Sequence, residues 1–224
     1  MAVFAMAAVA YAGGKTTIEP TVVKTSDAWY VSANGGWNMF QSNFIKEGAD
    51  WSHKHKTGWN AGMQLGYDFD TTAFVRPVLE LDGQFNGFNR NETAPNRFGT
   101  REPGFFKFKT NSFALMLNAM AKFDCAVFQP YVGIGAGFHH TWMKETLRDD
   151  TGAIRGQDKD SANGFSWQLI AGTDYKLSSD WALFVDYKWV NLQGNKQLTN
   201  HHPQGMTKDR LSQQIVSMGV RFTF

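Results

Sequence analysis

The chain has 224 residues, with 22 Lys and Arg against 20 Asp and Glu, a formal net charge of +2. That balance argues against a nucleic-acid binder, and no apolar run reaches the roughly 18 residues that a transmembrane helix needs. Aromatics are 15% of the chain and helical spacing is nowhere sustained, so strands are the expected elements.

Residues 1–12, MAVFAMAAVAYA, are apolar and end Ala10-Tyr11-Ala12. This small-x-small pattern reads as the remnant of a signal peptide, although a positive n-region is missing. Residues 13–28 are polar and without period, a periplasmic lead-in. Strict alternation then begins. It predicts strands at 29–40, 57–70, 73–87, 110–123, 128–142, 162–177, 181–194 and 211–224. Short turns fall at 70–72, 124–127 and 178–180; long loops fall at 41–56, 88–109, 143–161 and 195–209. Cys125, the single cysteine, lies in a short turn and can form no disulfide within the chain.

Each strand has one greasy face and one small or polar face. In the second strand Trp59, Ala61, Met63, Leu65, Tyr67 and Phe69 alternate with Asn60, Gly62, Gln64, Gly66 and Asp68. Each is long enough to cross a bilayer, which takes about 9–11 tilted residues. The greasy faces carry aromatics at both ends. Trp29 and Trp181 stand near the short turns; Trp37, Trp59, Trp167 and Trp189 stand near the long loops. Two aromatic girdles around an aliphatic band suit rings at headgroup level. A soluble lipocalin-like barrel would invert the pattern, with apolar residues inside and more charge outside. The expectation is therefore an all-β, eight-stranded antiparallel up-and-down transmembrane β-barrel over residues 29–224. A mean hydropathy of −0.37 does not oppose it, because a barrel hides its lipid face in every second residue.

The polar faces carry Asp68, Arg76, Glu80, Asp82, Lys122, Asp174, Lys176, Asp186, Lys188 and Arg221. An eight-stranded barrel has barely more room than its side chains fill, and unpaired buried ions are expensive. These charges read as a balanced ionic plug, with Lys188 paired to Glu80, Asp82 or Asp186. A switchable gate is the rival reading. The histidines fall near the long-loop ends, as His53, His55, His139, His140, His201 and His202. HxH and HH pairs suit a transition metal, but no recognised ligand spacing accompanies them, and solvated loops are the simpler reading. No cofactor motif and no catalytic constellation is evident.

The final stretch, LSQQIVSMGVRFTF, puts Val216, Met218, Val220, Phe222 and Phe224 on one face. Ser217, Gly219, Arg221 and Thr223 occupy the other. A terminal amphipathic strand ending in Phe resembles the C-terminal assembly signal of bacterial outer-membrane barrels. With the strand pattern and the girdles, the chain from Trp29 to Phe224 resembles the small OmpA- and OmpX-like, opacity-type family. The resemblance implies a monomer in the bacterial outer membrane, with Phe222 and Phe224 read by the barrel-assembly machinery. It implies a structural or surface-interaction role, such as adhesion or membrane integrity, with host or surface ligands reached through the loops. A narrow porin and a lipid-modifying barrel enzyme are the alternatives. Loop 88–109 is the most basic, with Arg90, Arg97, Arg101, Lys107 and Lys109 against Glu92 and Glu102. On this resemblance, outer-membrane lipid and lipopolysaccharide phosphates would be its anionic neighbours; ordinary solvated loop charge is the equal alternative.

Overall fold

The computed structural model describes residues 28–41, 57–69, 74–94, 104–148, 153–194 and 210–224. The proposed signal remnant, most of the lead-in, and His53, His55, His201 and His202 lie outside these residues. Eight strands follow one another: β1 (Ala28–Gln41), β2 (Thr57–Asp68), β3 (Val75–Ala94), β4 (Gly104–Phe123), β5 (Phe128–Arg148), β6 (Ile154–Lys176), β7 (Trp181–Gln193) and β8 (Arg210–Thr223). Each pairs antiparallel with its sequence neighbours, and β8 returns to β1 to close the ring. Closure leaves no unpaired edge, the condition for strands to cross a bilayer. The seam runs from Tyr30 opposite Thr223 to Gln41 opposite Ser212. The Phe224 amide donates to the Trp29 carbonyl at 2.9 Å beyond it.

The period-two alternation is what makes the ring two-sided. On β7, Trp181, Leu183, Val185 and Tyr187 are exposed, while Phe184, Asp186, Lys188 and Val190 are buried. The same alternation holds on β4, with Phe113, Leu115 and Leu117 exposed against Ala114, Met116 and Asn118. Exposed aliphatics form a band: Leu117 is 60% accessible and Ile134 63%. In water such a band is a liability; in lipid it is the contact surface.

Two expected loops are corrected. The segment 88–109 is strand on both sides, Ala94 pairing with Gly104. The segment 143–161 is also largely strand, β5 running to Arg148 and β6 starting at Ile154. The lead-in ends one residue early, since Ala28 already pairs with Asp68. The reason for the longer strands is physical. Above the membrane both faces of a strand meet water, so the greasy–polar contrast that marks a spanning strand disappears. Charged residues such as Lys107, Lys144 and Lys159 pair in the ladder without leaving an alternation signal. With β1, β2, β7 and β8 at 12 to 14 residues, β3 to β6 at 20 to 23 residues stand well above the rest. The result is a tall four-stranded wall at the end opposite the short turns. In the outer-membrane barrels that the sequence resembles, short turns are periplasmic, an arrangement that would turn this wall outward from the cell.

Candidate functional site

The lumen is where the polar faces meet. Nine of the ten expected inward charges are buried or nearly so, and Lys176, at the end of β6, is half-buried. They sort into two groups. The first is a chain of six. Asp68 lies 3.5 Å from Arg76 and 3.2 Å from Lys122; Lys122 lies 3.0 Å from Asp174. Arg221 bonds Asp174 and reaches Glu80 at 3.7 Å. Three acids and three bases alternate, so the chain is neutral.

The second group is Lys188 with Asp82 at 2.7 Å and Asp186 at 3.6 Å. Lys188 stands on β7 and Asp82 on β3, four strands apart in a ring of eight, so this ion pair spans the diameter of the barrel. Both side chains are at most 1% accessible. Gln213 on β8 and Ser112 on β4 make a second cross-diameter contact at 3.5 Å. Hydrogen bonds supply what ion pairing leaves over. Tyr30 donates to Glu80 at 2.7 Å and Asn118 donates to it at 2.9 Å. Ser217 donates to Asp186 at 2.8 Å, and Gln84 to Asp82 at 3.1 Å.

Two features of the lumen are absent from the sequence reading. One is a set of aromatic seats. Tyr30 lies opposite Gly66 and its ring fills the place of a Cβ there; Tyr131 does the same over Gly172, and Phe184 over Gly219. All three rings lie close to the Arg221 guanidinium, at 4.4 Å for Tyr30, 5.0 Å for Phe184 and 5.7 Å for Tyr131. Desolvated cation–π contacts of this kind hold a buried arginine in one position. An inward aromatic beside an inward glycine on the next strand was the available signal. The other is a set of apolar side chains placed among the polar ones. Met116 and Ile215 lie in register with Asp82 and Lys188, and Val190 and Leu192 are buried farther toward the outer end, among Gln213, Ser166 and Asn38.

The histidine pair comes apart. His139 is buried and His140 exposed, because successive strand residues point to opposite faces. They share no ligand, and His140 Nδ1 lies 2.6 Å from Asn163 Oδ1 on the outer face. Among the described residues no group of three His, Cys, Asp or Glu is placed to hold a metal.

The girdle positions lie on the outside at both rims. Near the turns, Trp29 packs edge-on against Tyr67 at 5.0 Å, and Trp181 lies tilted against Phe222 at 4.8 Å. At the outer rim Trp37 faces Trp59 in the ladder, Trp59 stacks on Phe85 at 5.5 Å, and Trp167 meets Trp189 edge-on at 5.0 Å. Phe222 and Phe224 are stacked at 6.3 Å beside the turn-side rim.

A closed ring of eight strands, lipid-facing aliphatics between aromatic rims and a polar interior define an outer-membrane β-barrel protein. A family model described as the outer membrane protein beta-barrel domain matches residues 1–224. The chain belongs to that family and resides in the outer membrane. It is 24% identical over 169 residues to the outer membrane protein PagN of Salmonella typhimurium, an overlap of 74% of this chain and 70% of that one. Neisserial surface protein A has the same fold, with a TM-score of 0.50 at 16% identity over 88% of this chain and 97% of its own. Ail, the attachment invasion locus protein of Yersinia pestis, was solved with the heparin analogue sucrose octasulfate; it gives a TM-score of 0.45 at 12% identity, over 89% of this chain and all of its own.

Proposed function

We propose that this protein acts as a closed barrel whose working surface is its outward wall and loops, and not as a conduit or an enzyme. The observation that carries the reading is the buried Lys188–Asp82 pair at 2.7 Å across the full diameter. A solute crossing the lumen would have to separate two desolvated charges, which costs several kcal/mol. Its role then belongs to the structural and surface-interaction class, with membrane integrity and adhesion as the expected phenotypes. The outer wall fits that role, because it presents paired strand beyond the membrane where a partner can reach it. The chain works as a monomer in this reading, and its terminal strand engages the assembly machinery.

Two experiments test these statements. Liposomes carrying the refolded protein should not swell in a disaccharide gradient; rapid swelling would favour the narrow porin. Deleting Phe224, or introducing Phe222→Asp, removes the aromatic end of the closing strand and should leave protein in the periplasm. Normal heat-modifiable protein in the outer membrane from both variants would remove the assembly role.

A further inference from the structure

On β4, β5 and β6 the outer wall gathers lysines on one face. Lys109 on β4 lies opposite Lys144 on β5, and Lys144 lies opposite Lys159 on β6. The three lysines form one transverse row, continued by Asn89 on β3, and all four residues are exposed. Strand alternation puts this row on the outward face, the face of Phe113, His140 and Phe165. Two residues nearer the membrane the same face reads Asn111, Trp142 and Ser161 in register. Lys107, two residues farther out on β4, is also exposed on this face. The acids of β6 in this region, Asp158 and Asp160, have the opposite parity and belong to the inward face.

Like charges directly opposite in a ladder repel, because their Cβ atoms are only about 4.5–5.5 Å apart. Here two such pairs are adjacent. None of the three lysine side chains makes an ion pair among the described residues. An anion from outside the chain would supply the compensation. The row sits just beyond Trp142, whose ring lies 5.5 Å from Phe85 and 5.3 Å from His140 in the outer aromatic rim. That is the level of anionic headgroups, and long lysine stems follow an apolar wall while their ammonium groups reach the polar layer.

We propose that Lys109, Lys144 and Lys159 form a binding site for the phosphorylated sugar headgroup of an outer-leaflet glycolipid, with the lipid's acyl chains lying down the Trp142, Phe113 and Phe138 face. Three ammonium groups in a line suit a phosphate carrying close to two charges. A soluble polyanion would explain the charge but not its continuity with the lipid-facing aromatics. The inference rests on the outer-membrane placement and not on the closed lumen, so swelling or conductance results leave it intact.

The test is native mass spectrometry of the refolded protein in detergent, titrated with diphosphorylated lipid A, chemically dephosphorylated lipid A, inorganic pyrophosphate and sucrose octasulfate. Each lysine near an anionic surface is worth roughly a fivefold change in binding. The triple variant Lys109→Gln/Lys144→Gln/Lys159→Gln should therefore bind diphosphorylated lipid A on the order of a hundredfold more weakly. Wild type should lose most of its affinity for the dephosphorylated lipid, and Asp158→Asn/Asp160→Asn should bind as wild type or better. Heat-modifiable migration checks folding; if the triple variant does not fold, Lys144→Gln alone should still lose several-fold in binding, and Lys144→Arg should retain it. Equal binding of diphosphorylated lipid A by wild type and a folded glutamine variant would overturn the site. So would wild-type binding of pyrophosphate or sucrose octasulfate as tight as that of the lipid, which would assign the row to soluble anions.

Discussion

Lys188 is the residue on which the interior depends most. Its ammonium has Asp82 at 2.7 Å and Asp186 at 3.6 Å, with no exposure to dilute the interaction. Removing one partner of a buried pair strands the other, at a cost of about 3–5 kcal/mol. Lys188→Ala should lower stability by that amount in a urea titration of the barrel in detergent. Lys188→Met with Asp82→Leu and Asp186→Leu should recover much of it, because well-packed apolar replacement of a whole buried ion group is often neutral. An unchanged Lys188→Ala midpoint would mean the ammonium is hydrated. Glycine tells a second residue-level story. A methyl on Gly66 would meet the Tyr30 ring, whereas one on Gly35 would meet only the Asn60 carbonyl at 3.7 Å. Gly66→Ala should cost about 1–3 kcal/mol through overpacking, and Gly35→Ala much less. Equal losses would show that the ring moves aside freely.

At the level of the strand, the two faces answer to different solvents. Leu117, Ile134 and Val185 are exposed between the girdles, so Leu117→Arg, Ile134→Arg and Val185→Arg should each cost about 2–4 kcal/mol in a lipid-vesicle folding titration. The wall above the membrane has no such constraint; Gln157→Arg, on the exposed outer part of β6, should be near neutral. Comparable losses at both depths would refute the depth assignment. The spanning strands were legible in the sequence because lipid on one side and lumen on the other impose period two on every residue. Beyond the rim that contrast ends, and so the sequence reading stops β3 at 87 and β5 at 142 while the ladders continue to Ala94 and Arg148. Inward charges were legible by the same parity. Their partners were not, because parity gives a face and not the strand across the lumen: Lys188 had three candidate acids, and only the closed ring brings β7 opposite β3. The glycine seats were missed for a related reason. Parity places Gly66 and Gly172, Tyr30 and Tyr131 alike on the inward face, and it takes the register to set each ring over its glycine.

In the molecule as a whole, an interior crossed by buried ion pairs is joined to an exposed outer wall. Five acids and four bases lie buried or nearly so in the lumen among the described residues, and half-buried Lys176 at the turn-side end brings the sum to zero. Ile215, in register with Lys188, and Val190 and Leu192 farther out add apolar bulk among the buried polar side chains. On the proposed reading, a lumen held shut by these pairs leaves contact with lipid and with partners to the outer surface. Single-channel recording of the refolded protein in a planar lipid bilayer tests this most directly. A sealed lumen gives a flat trace for the wild type, and discrete conducting events only when the cross-diameter pair is broken by Lys188→Ala. Stable porin-sized steps from the wild type, unchanged in the variant, would contradict it.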